Sequence, residues 1–193
     1  MNVALQKPMA LAEFLAWEER QELRYEFDGF QPVAMTGGTV AYDRITFNLH
    51  KALDARLGGK PCKPYGPNVK VITPGKARYP DALVTCTPTD LNATVINEPV
   101  VVFEVVSEDT ARTDRIEKLR EYQATASIRR YVILEQKSIG AAVFARRGED
   151  WIATALTEED TLAMPEIGIE VPLSELYAGL NFAPVTAVDP RDG

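Results

Sequence analysis

Two short apolar runs rich in valine stand out in the hydrophobic pattern of the chain. One extends from Ala82 to Cys86 and the other from Val100 to Val106. Runs of this length with many β-branched residues are typical of buried strands. An acid, Asp81, opens the first run, and another, Glu104, interrupts the second. Because a buried carboxylate is costly unless it is paired or bound to a cation, these two acids are candidates for a functional site.

The rest of the pattern predicts helices and strands that alternate along the chain. Helical spacing of apolar residues predicts helices over Met9–Glu22 and Thr39–Leu57, one from Thr110 or Thr113 to Ala126, and a small one over Leu173–Tyr177. Further strands are predicted at Leu23–Gly29, Gln31–Thr36, Asn68–Thr73, Arg129–Leu134, Ile139–Ala145, Trp151–Leu156 and Gly168–Val171, with Pro61–Tyr65 irregular. This order indicates an α/β fold. We expect residues 1–183 to form a single domain and 184–193 to be a flexible tail.

Composition adds little beyond the class of an ordinary globular protein. The 193 residues are 46% hydrophobic and 25% charged. Cys62 and Cys86 lie far apart and lack the spacings of zinc sites, and we expect no disulfide framework. A reducing cytoplasm is the simplest setting for such thiols. No apolar run is long enough to span a bilayer, so no membrane partner is expected.

A lysine follows the second apolar run on the next predicted helix. From this helix the ammonium group of Lys118 can reach the region of Asp81 and Glu104. Two carboxylates that converge on one hard cation, with an ammonium group beside them, suit metal-assisted hydrolysis of a phosphodiester. The alternative for Lys118 is a surface ion pair with Asp114, four residues earlier, worth about 0.2–0.5 kcal/mol.

Three segments together resemble the Uma family of restriction-endonuclease-like proteins, a branch of the PD-(D/E)XK nuclease superfamily. They are Pro80-Asp81, Glu104-Val105-Val106-Ser107 and Asp114-Arg115-Ile116-Glu117-Lys118. The superfamily pattern places a lysine two residues after the second acid, where this chain has valine; in the Uma family the lysine lies on the following helix, and Lys118 matches it. The resemblance extends from about Leu11 to Glu135. It implies a restriction-endonuclease-like fold, a mixed central β-sheet flanked by α-helices, with additional antiparallel hairpins.

The resemblance also implies a Mg²⁺ site formed by Asp81 and Glu104, with Mn²⁺ as a substitute ion. Glu26 matches an acid near the start of the family pattern and would add to the catalytic set. The alternatives for Glu26 are an exposed strand acid or an ion pair with Arg24.

Four further polar residues carry weaker expectations. Ser107 and Tyr122 are expected to position the substrate or the lysine. Lys70 alternates with valines, and we expect it to face solvent, with phosphate contact as the alternative. His50 is the only histidine and is expected to be structural or at the surface.

The activity implied by the resemblance is DNA cleavage by a Mg²⁺-dependent endonuclease. The net charge of −7 counts against avid binding of nucleic acid through the whole surface. Six basic residues are nevertheless close to the proposed site in sequence: Arg112, Arg115, Lys118, Arg120, Arg129 and Arg130. They either supply local positive charge at the site or form a solvated helix face.

Two other functions stay open. One is a catalytically inactive nucleic-acid-binding or assembly module on the same fold, and the other is a hydrolase of smaller phosphate esters. The resemblance is also compatible with a homodimer, because restriction-like nucleases often need two active sites for two strands.

Overall fold

The computed structural model describes residues 8–35, 37–106 and 111–182, and the side chains of residues 111–115 lie outside this description. The helices are α1 (Leu11–Glu18), α2 (Val40–Leu57), α3 (Ala111–Ala124) and α4 (Leu173–Leu176). The strands are β1 (Tyr25–Phe27), β2 (Pro32–Ala34), β3 (Lys63–Tyr65), β4 (Val71–Thr73), β5 (Lys76–Arg78), β6 (Ala82–Thr85), β7 (Pro99–Val106), β8 (Arg130–Glu135), β9 (Ala141–Arg147), β10 (Asp150–Leu156), β11 (Thr161–Met164) and β12 (Ile169–Pro172). None of the described helices is long and apolar enough to cross a membrane.

A six-stranded mixed sheet forms the centre of the molecule. Its strand order is β10-β9-β8-β7-β6-β3, and β7 and β8 pair in parallel while their outer neighbours pair antiparallel. Parallel neighbours need a crossover connection, which α3 supplies between β7 and β8. The predicted α/β fold with a mixed central sheet is therefore confirmed, and the most apolar strand, β7, lies inside it as expected.

The two faces of β7 serve different purposes. Phe103 and Val105 point into the larger core, which also contains buried residues of α2, α4, β11 and β12. Val102 points the opposite way, into a core shared with Tyr122 of α3. Because side chains alternate along a strand, Glu104 shares the face of Val102 and is directed toward α3.

A second, four-stranded sheet has the order β2-β1-β5-β4. Strand β1 pairs with β5 through Phe27 and Ala77, and a tight turn containing Gly75 joins β4 to β5. The φ angle of Gly75 is +74°, a conformation that glycine adopts at no steric cost. This sheet places Glu26 of β1 and Arg78 of β5 beside the central sheet.

Several predicted elements differ from the observed ones. Helix α1 is shorter than predicted, and the predicted irregular segment at Pro61–Tyr65 contains the short strand β3, which is held by its pairing with β6. Strand β11 was not predicted, although Leu162 and Met164 alternate with exposed neighbours. The expectation for Lys70 is wrong, because it is only 4% exposed and its Nζ lies 2.6 Å from Glu18 Oε2.

The expectation for the cysteines is also wrong, because Cys62 and Cys86 form a disulfide. Cys62 comes immediately before β3 and Cys86 immediately after β6. The antiparallel register pairs Lys63 with Thr85, so the two cysteines are neighbours across the strand pair. Sequence spacing could not reveal this pairing, because it depends on the unpredicted strand β3.

Removal of the disulfide is expected to lower the free energy of unfolding by about 3 kcal/mol, because the bond closes a long loop in the unfolded chain. The sequence separation of the two cysteines is 24 residues. Denaturant titrations of wild type and of the Cys62→Ser, Cys86→Ser double variant measure the difference. Wild type with added thiol reductant is the control and should match the double variant. Equal stability of oxidised and reduced wild type would contradict the prediction.

Candidate active site

The antiparallel pairing of β6 with β7 brings the two predicted acids together. Ala82 pairs with Phe103, and extending this register by one residue places Asp81 opposite Glu104. The amide of Val105 donates a hydrogen bond of 2.6 Å to Asp81 Oδ2. Both acids are buried, with 7% of Asp81 and 5% of Glu104 exposed. Both carboxylates are therefore buried, as the sequence pattern predicted.

Helix α2 holds Asp81 from the other side. The hydroxyl of Tyr42 donates to Asp81 Oδ1, and His50 Nε2 lies 2.9 Å from the Asp81 carbonyl oxygen. Thr39 caps α2 by accepting a hydrogen bond from the Tyr42 amide, which fixes the first turn. A Cβ on Gly38 would lie 2.3 Å from the Tyr42 ring, so only glycine leaves room for the ring there.

Sequence reasoning missed Tyr42 and placed His50 only as structural or at the surface. A signal existed for both, because they are eight residues apart on α2 and therefore lie on one flank of the helix. That flank could not be assigned to Asp81 before the packing of α2 was known.

Helix α3 supplies the lysine and a tyrosine. Lys118 Nζ lies 3.2 Å from Glu104 Oε1, and the Tyr122 hydroxyl donates to the same oxygen at 2.9 Å. Lys118 is 8% exposed and Tyr122 is fully buried. Lys118 is therefore not a surface residue, and its alternative partner, Asp114, has a side chain outside the described residues.

Glu26 also reaches this cluster. Its Oε1 lies 3.4 Å from Lys118 Nζ and accepts a 3.2 Å hydrogen bond from the Tyr79 amide. Its Oε2 accepts from Arg78 Nη1 at 3.1 Å. Glu26 is thus largely buried, and among the described residues its ion pairs are with Arg78 and Lys118 rather than with Arg24. Ser107, the remaining predicted residue, lies outside the described residues.

Arg78 and Glu121 are part of the same cluster and were not predicted. Arg78 forms two hydrogen bonds of 2.8 Å with Glu121, from Nε and from Nη2. Both residues are buried. The available signal was an acid three positions after Lys118 on one helix face, whereas strand β5, which carries Arg78, was itself not predicted.

Burial raises the pKa values of both acids of the site. Burial raises the pKa of the Glu104 carboxyl to about 8, and the nearby Lys118 charge offsets only part of this effect. Burial also raises the pKa of Asp81, despite the hydrogen bonds from Tyr42 and the Val105 amide. The pKa of Tyr122 is raised well above its ordinary value by burial and by the Glu104 charge, so its hydroxyl remains a donor.

Only some of the basic residues that were expected near the site lie there. Arg130 pairs with Val101 in the β7–β8 register, whereas Glu104 pairs with Ile133 farther along. Arg130 also forms a two-point ion pair with Glu166, with an Nη2–Oε2 distance of 3.0 Å. It therefore lies away from the acids. Arg120 and Arg129 are exposed. The side chains of Arg112 and Arg115 lie outside the described residues.

Comparison with known proteins finds a matching family and two relatives. The model of the Uma2 family, described as "Putative restriction endonuclease", matches residues 11–174. Protein slr1290 of Synechocystis sp. is 30% identical over 174 residues, which cover 88% of this chain and 92% of that protein. Protein sll1609 of the same organism is 25% identical over 166 residues, covering 83% and 94%.

A solved structure has the same fold. It is described as a putative nuclease belonging to DUF820 from Anabaena variabilis, and it superposes with a TM-score of 0.73 at 13% identity. The superposition covers 88% of this chain and 98% of that one. The family match spans both acids and Lys118, and the resemblance read from their motifs is confirmed: the chain belongs to the Uma2 family.

Proposed function

We propose that this protein is an endonuclease that hydrolyses phosphodiester bonds with a divalent cation, and that DNA is its substrate. The observation that carries the proposal is the buried pair Asp81 and Glu104, with Lys118 Nζ 3.2 Å from Glu104 Oε1. Membership of a family described as "Putative restriction endonuclease" supports nuclease chemistry. The acids supply anionic oxygen ligands, and the lysine supplies a positive charge beside them.

The donor set of Asp81 and Glu104 fits Mg²⁺, with Mn²⁺ as a substitute. Among the described residues, no group of three or more His, Cys, Asp or Glu side chains is arranged to hold a metal. Two carboxylates are nevertheless sufficient, because Mg²⁺ keeps several waters and is often bound by one or two carboxylates with substrate phosphates. When bound, the ion supplies Lewis acidity and lowers the pKa of a bound water.

The side chains around the acids have distinct proposed roles. Tyr42 and the Val105 amide hold Asp81, and Tyr122 holds Glu104. Lys118 orients the attacking water or stabilises the charge that develops on the phosphate oxygens. Glu26 keeps the ammonium group of Lys118 next to Glu104. Both oxygens of Glu26 accept from cations or an amide, which favours a lysine-holding role over a metal-ligand role.

The test is cleavage of supercoiled and single-stranded DNA by the purified protein with Mg²⁺ or Mn²⁺ and with a chelator. We expect cleavage only with a metal ion, and a loss of at least ~100-fold in Asp81→Asn, the scale for removal of a group that acts on the reacting centre. Arg56→Gln is the control variant, since Arg56 pairs with Glu175 of α4, outside the proposed site. This control should cleave like wild type.

Other results would favour the remaining candidates. Cleavage that survives in Asp81→Asn would contradict the proposed site. Hydrolysis of nucleotides or aryl phosphates without cleavage of DNA would favour a small phosphate-ester hydrolase. No hydrolysis and no calorimetric binding of Mg²⁺ would favour a non-catalytic binding or assembly module. A homodimer stays a proposal, and sedimentation of the same preparation tests it.

A further inference from the structure

Arg78 occupies the centre of the ionic cluster around the lysine. It lies on β5, and only 4% of its side chain is exposed. Its guanidinium binds Glu121 of α3 through two parallel hydrogen bonds of 2.8 Å. Its third nitrogen donates to Glu26 of β1 at 3.1 Å. One side chain thus joins the helix that carries Lys118 to the strand that carries Glu26.

Lys118 is connected to Arg78 by two routes. Along α3, Glu121 lies one helical turn after Lys118. Because Arg78 holds Glu121 in place, the position of the Lys118 backbone along the helix axis and its rotation about that axis are also restrained. Through side chains, Glu26 accepts from Arg78 with one oxygen and contacts Lys118 with the other. The first route restrains the backbone end of the Lys118 side chain, and the second restrains its ammonium group. Both restraints are needed because a lysine side chain is long and flexible.

We propose that Arg78 is a positioning residue that fixes the ammonium group of Lys118 against Glu104. The positional part of this proposal needs only the contacts described above, whereas its effect on catalysis rests on the proposed nuclease function. Arg78 keeps Glu26 directed toward Lys118 and holds α3 at the distance that gives the 3.2 Å contact between Lys118 Nζ and Glu104 Oε1.

Arginine is required by the geometry of these contacts. A planar guanidinium presents donors in two directions and can serve two carboxylates at once, whereas an ammonium group acts as a point charge on a flexible stem. Lys76 does not replace it, because its Nζ contacts Glu121 at 2.8 Å and Glu117 at 3.6 Å, and Glu26 is not among its ion pairs.

Chemical modification of lysines tests the positioning directly and requires no nuclease activity. The metal-free protein is treated briefly with an acetylating reagent, and peptides are quantified by mass spectrometry. Lys70 is the internal reference, because it is buried to a similar degree but forms its ion pair with Glu18, which is not an ion-pair partner of Arg78. In Arg78→Met, acetylation of Lys118 relative to Lys70 is expected to rise roughly tenfold, the factor for loss of one charge-assisted hydrogen bond.

Two further variants make the result specific. Arg78→Lys is expected to raise the acetylation of Lys118 nearly as much as Arg78→Met does, because lysine cannot hold Glu121 and Glu26 at the same time as the guanidinium does. Lys76→Met is the matched control, since it removes a cation from Glu121 but not from Glu26. It should leave the ratio unchanged. An unchanged ratio in both Arg78 variants would overturn the proposal. An equal rise of Lys118 and Lys70 would also overturn it, because Arg78 would then act on the whole fold.

Cleavage kinetics separate this proposal from the proposed function. In an active wild type, Arg78→Lys should lower kcat roughly 10- to 100-fold with little change in KM, as expected when a supporting contact is lost. A changed KM with unchanged kcat would overturn the positioning role. If wild type does not cleave but Lys118 is selectively exposed in the Arg78 variants, the positioning stands and the nuclease function fails.

Discussion

Replacing Glu104 with glutamine is expected to stabilise the metal-free protein at pH 8.5. In the folded protein the pKa of Glu104 is raised from 4.5 to about 8 by burial. The folded state therefore binds this proton more tightly than the unfolded state does. The stabilisation of the folded state by this tighter proton binding is fully present below about pH 4.5 and is lost as the pH rises through about 8. Glutamine keeps an oxygen for Lys118 and Tyr122 and has no charge to bury.

The expected gain at pH 8.5 is on the order of 4 kcal/mol, since one pKa unit corresponds to about 1.4 kcal/mol. Urea titrations in a chelator at pH 5.5 and pH 8.5 measure it, and the difference between the proteins should shrink at the lower pH. Glu121→Gln is the matched control, because Glu121 is also a buried glutamate. Burial raises the Glu121 pKa, but hydrogen bonds from Arg78 and Lys76 outweigh this and lower it, so this variant should be destabilised at pH 8.5.

Added Mg²⁺ should offset much of this stability difference between wild type and Glu104→Gln. A ligand that binds only the folded state stabilises it by about 2.7 kcal/mol at a concentration of 100 times its Kd. Wild type is expected to gain this stability at pH 8.5, and Glu104→Gln to gain little. A Glu104→Gln protein that is less stable than wild type in the chelator at pH 8.5 would contradict the prediction.

Replacing Lys118 with methionine is expected to lower the rate of metal-dependent DNA cleavage by roughly 10²–10³, the loss typical for one charged or donor group that stabilises the transition state. Methionine retains most of the buried stem and removes the ammonium group that contacts Glu104 and Glu26. Single-turnover cleavage at saturating Mg²⁺ is the measurement, because it separates the chemical step from product release.

The matched control for this prediction is Lys70→Met. Lys70 is as buried as Lys118 and pairs with Glu18 at 2.6 Å, so its loss should lower stability and leave the single-turnover rate within about threefold, since its contacts lie outside the reacting groups. If Lys118→Met cleaves at the wild-type rate, Lys118 has only a structural role. If both variants lose the same activity, the loss reflects stability.

The central part of the fold was predictable because its signals are local. The strands that contain Ala82 and Val102 are continuous apolar runs, and the acids within them stand out for that reason. Lys118 could be placed near these acids because it follows the Glu104 strand on the crossover helix, and its role was implied by the resemblance to the family motif. The order of the elements along the chain was sufficient for the position, but not for the role.

The supporting residues could not be predicted because their partners are distant in sequence. Arg78 is 43 residues from Glu121 and 52 from Glu26. Lys70 alternates with valines, as in an exposed strand position, yet Glu18 of α1 covers it. A local pattern shows that a side chain faces away from its neighbours but not which element lies on that side.

The sequence separations within the site determine when it can exist during folding. Asp81 is held by a tyrosine 39 residues away and by an amide 24 residues away, and Lys118 meets Glu26 across 92 residues. Such non-local contacts form only after large loops have closed, so they form late. A partly folded chain contains every acid and the lysine but not their arrangement. The proposed nuclease site would therefore be complete only in the fully folded molecule.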